Sequence, residues 1–108
     1  MHIPQEDLQD KLEATATDSV GLIDTETMTI GLKRYSKDAA KKKGSRKHTE
    51  DELYHIIGGA GRITVGDEVY SVTSGDLVYI EQGESHDIIE IHDELTVLKI
   101  LTDKSAFN

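Results

Sequence analysis

The order of apolar and polar positions divides the chain into two unequal parts. Residues 5–14, Gln-Glu-Asp-Leu-Gln-Asp-Lys-Leu-Glu-Ala, place Leu8 and Leu12 one helical turn apart behind Pro4. Proline at a helix entrance gives up a donor that would have no partner anyway, so this segment predicts a short, mostly exposed helix. From Val20 onward the spacing changes to short runs rich in Ile, Val, Leu, Thr and Tyr. They predict strands at 20–24, 27–35, 52–57, 61–65, 68–73, 77–80, 86–91 and 95–101. Gly58-Gly59-Ala60-Gly61, Ser74-Gly75-Asp76 and Gln82-Gly83-Glu84 punctuate them, and Gly66-Asp67 between two alternating runs signals a hairpin. Many short strands after one helix imply an all-β sandwich or barrel.

Counting by twos assigns side chains to faces. If Glu52 points into the barrel, Tyr54 and Ile56 do too, and Leu53 and His55 lie outside. In the later run the same count puts His86, Ile88 and Glu90 inside and Asp87, Ile89 and Ile91 outside. The outer face then carries Leu53, His55, Ile89 and Ile91, which need cover from the N-terminal segment or from a second copy. A homodimer is the expectation.

Composition narrows the setting. One domain of 108 residues, with an N-terminal extension over 1–19, has the size to bury a single core. The absence of cysteine excludes disulfides and thiolate zinc sites and suggests a reducing, cytoplasmic setting. The opening residues show no signal pattern, and no apolar stretch is long enough to span a membrane. A net charge of −9 argues against nucleic acid and anionic membrane as partners. Yet residues 33–47 hold eight of the twelve basic residues against one acid, Asp38. Lys41, Lys42 and Lys43 read as a solvated loop, whereas Arg46 reads as an anchor for a small anionic molecule.

The chemistry concentrates in Arg46-Lys47-His48-Thr49-Glu50-Asp51-Glu52 and Gly83-Glu84-Ser85-His86. His48 and Glu52 stand four apart on a predicted strand and so leave one face. With His86 they offer two imidazoles and one carboxylate, enough for a divalent Zn, Mn, Fe, Ni or Co ion whose shell water completes. Glu90 is the candidate general acid or base, and Tyr54 the aromatic placed to line the ligand cavity. Arg46 also supplies the contrary case. A guanidinium cannot coordinate a cation, and beside the site it would repel one and pair with Glu52 or Glu90. His2, His55 and His92 carry no ligand signal.

These two blocks make the chain resemble the cupin superfamily. Its first motif ends with histidine, three or four residues, glutamate, six residues and glycine; His48, Glu52 and Gly59 fall on that spacing, and Gly61 completes the Gly-x-Gly ending. In the second motif, Gly75, Gly83 and His86 fall in register. The resemblance covers residues 46–90 and implies a double-stranded β-helix, or jelly-roll barrel, with a short N-terminal helix. Three departures qualify it: Arg46 replaces the first histidine, Glu81 the turn proline and Glu90 the asparagine. The metal set it implies is therefore His48, Glu52 and His86. Three functional readings follow: a metal-dependent oxygenase or isomerase acting on a small anionic substrate, a non-catalytic binding or sensing module with a degenerate site, with or without metal, or an oligomeric scaffold whose vestigial site only ties the strands together.

Overall fold

In the computed structural model, residues 1–14, 19–37 and 50–102 are described. They form α1 (Gln5–Ala14), β1 (Ser19–Asp24), β2 (Met28–Ser36), β3 (Asp51–Val65), β4 (Glu68–Thr73), β5 (Leu77–Ile80) and β6 (His86–Thr102). The helix begins behind Pro4 as the spacing predicts, with the N–H groups of Asp7 and Leu8 donating to the Pro4 carbonyl. Its Leu12 is buried, and α1 rests on β1 and β2. No helix among the described residues is long and apolar enough to cross a membrane.

All strand pairings are antiparallel, in the order β1-β2-β6-β3-β4, with β5 also paired to β3. β3 and β6 form the spine. β6 borders β3 from end to end, β4 pairs with the second half of β3 and β5 with its first half. The inward side chains of these strands make one core, built from Tyr54, Ile56, Ile63, Val65, Val72 and Val78 together with Ile80, Ile91, Leu95 and Val97. Tyr35 of β2 and Ile88 of β6 pack against it. The strict alternation of buried and half-buried positions from Asp51 to Ile56 is what a strand with one face in a core requires. The all-β class and the barrel implied by the motifs are what the chain adopts.

The predicted hairpin is present. Val65 pairs with Glu68, leaving Gly66-Asp67 as a two-residue loop, and Gly66 takes a φ of 58° that favours glycine. The breaks expected at Gly58-Gly59-Ala60-Gly61 and around His92 are absent; each pair of predicted strands is one long strand. The glycines serve close approach. Gly59 has a φ of 86°, and a Cβ there would collide with the Glu94 carbonyl, as one at Gly61 would with the Glu90 carbonyl. The β3–β6 ladder therefore continues through the glycines, with shifts in register between Ile56 and Gly58 and between Gly59 and Gly61.

One more shift changes the face count. Ile63 pairs with Ile88 but Arg62 pairs with Glu90, so Ile89 is an extra residue bulged out of β6. Beyond it the alternation inverts. Ile91, expected outside, is a core residue at 7% exposure, and Ile89 is exposed. Glu90, expected inside, is on the outer surface, where its carboxylate meets His92 at 3.1 Å.

A buried carboxylate and imidazole inside the barrel

Among the described residues, two polar side chains are buried with the core: Glu52 at 2% and His86 at 4% exposure. Glu52 belongs to the alternating start of β3, opposite Ile80 of β5 and Leu101 of β6. His86 is the first residue of β6, opposite Val65. The loop before it is tied down from several sides. Gln82 N–H donates to Asp51 Oδ1 at 2.9 Å, and Glu81 N–H to Glu84 Oε1 at 2.9 Å. Gly66 N–H donates to the Ser85 carbonyl at 2.8 Å. The turn glycines and acids of the second motif thus fix where the imidazole enters the barrel.

His86 Nε2 and Glu52 Oε2 stand 3.5 Å apart. Two donors each about 2.1 Å from a tetrahedral ion lie about 3.4 Å from each other, so the pair has the spacing of neighbouring ligands. Glu52 Oε2 and His86 Nδ1 are both sealed from solvent. No group of three or more His, Cys, Asp or Glu side chains with metal-binding arrangement occurs among the described residues. They supply two donors. The third expected ligand, His48, and the expected anion anchor, Arg46, lie outside the described residues, as do Lys41, Lys42 and Lys43.

Tyr54 packs edge-on to His86, with ring centroids 6.0 Å apart and planes at 85°. At 2% exposure it is a core residue that also forms the floor beside the imidazole. The expected place of Glu90 beside these residues is corrected: the Ile89 bulge turns it outward to the exposed face, where it meets His92. His55 is half-buried on the outer face, and His2 and His92 are exposed.

The site also holds residues that the sequence pattern did not single out. Lys99 lies opposite Tyr54 in the β3–β6 ladder, with its Nζ 5.1 Å from the Tyr54 ring centroid. The same Nζ is 5.4 Å from the Tyr35 ring, and Lys33 Nζ is 4.9 Å from it. Lys33, Tyr35 and Lys99 are half-buried. Alternation from Leu95 through Val97 would have placed Lys99 inside. However, Thr96, Leu98 and Ile100 on the other face are nearly as apolar, so the pattern favours neither face. Lys33 was hidden in the basic segment, and Tyr35 reads as an ordinary strand aromatic.

Comparison with known proteins agrees with this architecture. The family model described as Cupin domain matches residues 36–101. An uncharacterized protein of Streptomyces coelicolor is 35% identical over 75 residues, spanning 69% of this chain and 70% of that protein. The solved structure of the plu4264 protein from Photorhabdus luminescens superposes with a TM-score of 0.69 at 26% identity, covering 83% of this chain and 78% of that one. A cupin superfamily protein from Desulfitobacterium hafniense has the same fold, with a TM-score of 0.73 at 19% identity over 96% of this chain and 97% of that one. A barrel with β3 and β6 as its spine and a buried Glu–His pair inside, matched over most of its length by the family model, belongs to the cupin domain family.

Proposed function

We propose that this cupin holds a divalent transition metal inside its barrel through His48, Glu52 and His86 and receives a small anionic molecule there. The observation that carries the reading is the 3.5 Å separation of two buried donors, His86 Nε2 and Glu52 Oε2, from different strands. His48 is assigned by its spacing to Glu52 in the first motif. A bound ion of this kind supplies Lewis-acid polarisation of a ligand oxygen, the common element of the oxygenase and isomerase chemistries considered for this chain. Tyr54 packs edge-on to the His86 imidazole, which is held in place by the tethered loop before it. Arg46 stays an anion anchor in this proposal. Glu90 does not serve as the acid or base, because it faces solvent.

The second reading, a metal-free binding module, is favoured by one observation. Lys99 brings its Nζ to 5.1 Å from the ring of Tyr54, which in turn abuts His86. Metal content decides between the two. In mass spectrometry of untagged protein, the metal reading expects close to one ion per chain, lost in both His86→Ala and His48→Ala. Wild-type protein without metal after incubation with Fe(II), Mn, Ni and Zn would sink it.

We further propose a cytoplasmic homodimer. The cysteine-free composition supports the compartment. On the outer face of β5, Leu77 at 65% and Tyr79 at 54% exposure adjoin His55 and Leu53 of β3, and this apolar strip supports a second copy. Light scattering of wild type and Leu77→Glu tests it: a dimer that the variant dissociates is expected, and a monomeric wild type ends the idea.

A further inference from the structure

We propose that Asp51 is a positioning residue for the interior site: its carboxylate clamps the β5–β6 loop and thereby sets the separation of Glu52 from His86. Glu52 and Val65 stand near opposite ends of the 15-residue β3. A straight strand of that length would span roughly 50 Å. Yet Ile80 pairs with Glu52 and His86 with Val65, so residues 81–85 alone bridge the two ends. A connection that short reaches about 20 Å at most. β3 is therefore bent back on itself, and the loop closes the bend, which is how His86 Nε2 comes within 3.5 Å of Glu52 Oε2. How the loop sits on the start of β3 fixes that distance.

The main-chain pairing of β3 with β5 ends at Glu52 and Ile80. Beyond it the Asp51 side chain takes over, its Oδ1 accepting from Gln82 N–H at 2.9 Å across 31 residues of sequence. Consecutive strand residues leave opposite faces, so Asp51 reaches out to the loop while Glu52 enters the core. Two further bonds hold the loop: Glu81 N–H donates to Glu84 Oε1 at 2.9 Å, and Gly66 N–H to the Ser85 carbonyl at 2.8 Å. Of these three, the Asp51 bond is the one that ties the loop to the Glu52 end of β3. Releasing it lets the loop, and His86 behind it, shift relative to Glu52. An ion that needs each donor about 2.1 Å away is sensitive to such a shift. This inference rests on the reading of Glu52 and His86 as donors to one ion, but the clamp itself can be tested in metal-free protein.

The experiment compares wild type with Asp51→Ala, Asp51→Asn and Asp76→Ala. Asp76 is the matched control, because its Oδ2 accepts from Thr73 N–H at 2.8 Å in the β4–β5 turn. In metal-free protein, amide exchange followed by NMR should show Gln82 N–H protected in wild type and about tenfold less so in Asp51→Ala, with Ile56 and Ile63 unchanged. Cross-peaks between the Tyr54 and His86 rings, 6.0 Å apart in the fold, should weaken in the same variant. Asp51→Asn, which keeps an acceptor oxygen, should restore both. Titration with Zn(II) against a chromophoric chelator should then show about tenfold weaker binding by Asp51→Ala. Asp51→Asn and Asp76→Ala should bind Zn(II) as wild type does, whatever happens to their Tm. A Gln82 amide that exchanges freely in wild type overturns the clamp without any variant. So do unchanged ring contacts in Asp51→Ala, or an equal loss of Zn(II) affinity in Asp76→Ala. Wild type that binds no Zn(II) counts against the metal reading instead, and the metal-free comparison still decides the role of Asp51.

Discussion

Two histidine–carboxylate pairs in this barrel have nearly the same chemistry and opposite settings. His86 and Glu52 meet at 3.5 Å with side-chain exposures of 4% and 2%, whereas His92 and Glu90 meet at 3.1 Å with 58% and 49%. The shorter contact is the less consequential one. Water screens the outer pair and keeps both groups solvated when they separate, so its contribution to stability is small. The inner pair has lost water on every side, so its members depend on what the barrel places beside them. Distance alone would have ranked these pairs wrongly.

Breaking the inner pair should have the largest effect. Glu52→Ala leaves the imidazole without its carboxylate neighbour and opens a cavity, at a cost of about 4 kcal/mol. Urea denaturation measures it, and a loss below 1 kcal/mol would show that the pair carries little of the fold. Next comes the residue that the Ile89 bulge sends inward in place of Glu90. Ile91→Ala should cost about 3 kcal/mol in the same experiment; an effect as small as that of a surface substitution would contradict the bulged register. Metal removal ranks third. On the proposed metal reading, an ion at a free concentration a hundredfold above its Kd would stabilise by roughly 2.7 kcal/mol, so a chelator should lower the Tm of wild type but not of His86→Ala. The smallest effect belongs to the outer pair. Glu90→Ala and His92→Ala should each lie within about 0.5 kcal/mol of wild type, and a double-mutant cycle should give a coupling of the same small size.

The inner pair is legible in the sequence, and the outer one is not. Glu52 and His86 announce themselves because the glycines and acids of their motifs dictate local turns and an alternating strand. Those features survive folding: the Gly66-Asp67 hairpin and the Glu81–Glu84 contact are local interactions. Glu90 was placed inside by counting two residues at a time from His86. That count holds only while the two strands advance together. Ile89 breaks the step against Arg62 and Ile63, residues far away in the chain, so nothing near Glu90 reports the inversion. The Lys33–Tyr35–Lys99 cluster was out of reach for a related reason. Each residue is unremarked in its own strand, and the cluster exists only because β2 and β6 pair in one particular register.

By itself, the sequence determined the helix behind Pro4, the succession of strands, the tight hairpin, the barrel class and two residues of the candidate site. These follow from proline and glycine stereochemistry and from the period of side chains along an extended backbone, both of which act over a few residues. Only the tertiary structure decided that the Gly58–Gly61 segment continues β3, that Ile91 rather than Glu90 enters the core, and that two lysines from distant strands meet at Tyr35. The reason is that register is a property of two strands at once: a glycine or a bulge acquires its meaning from the backbone packed against it.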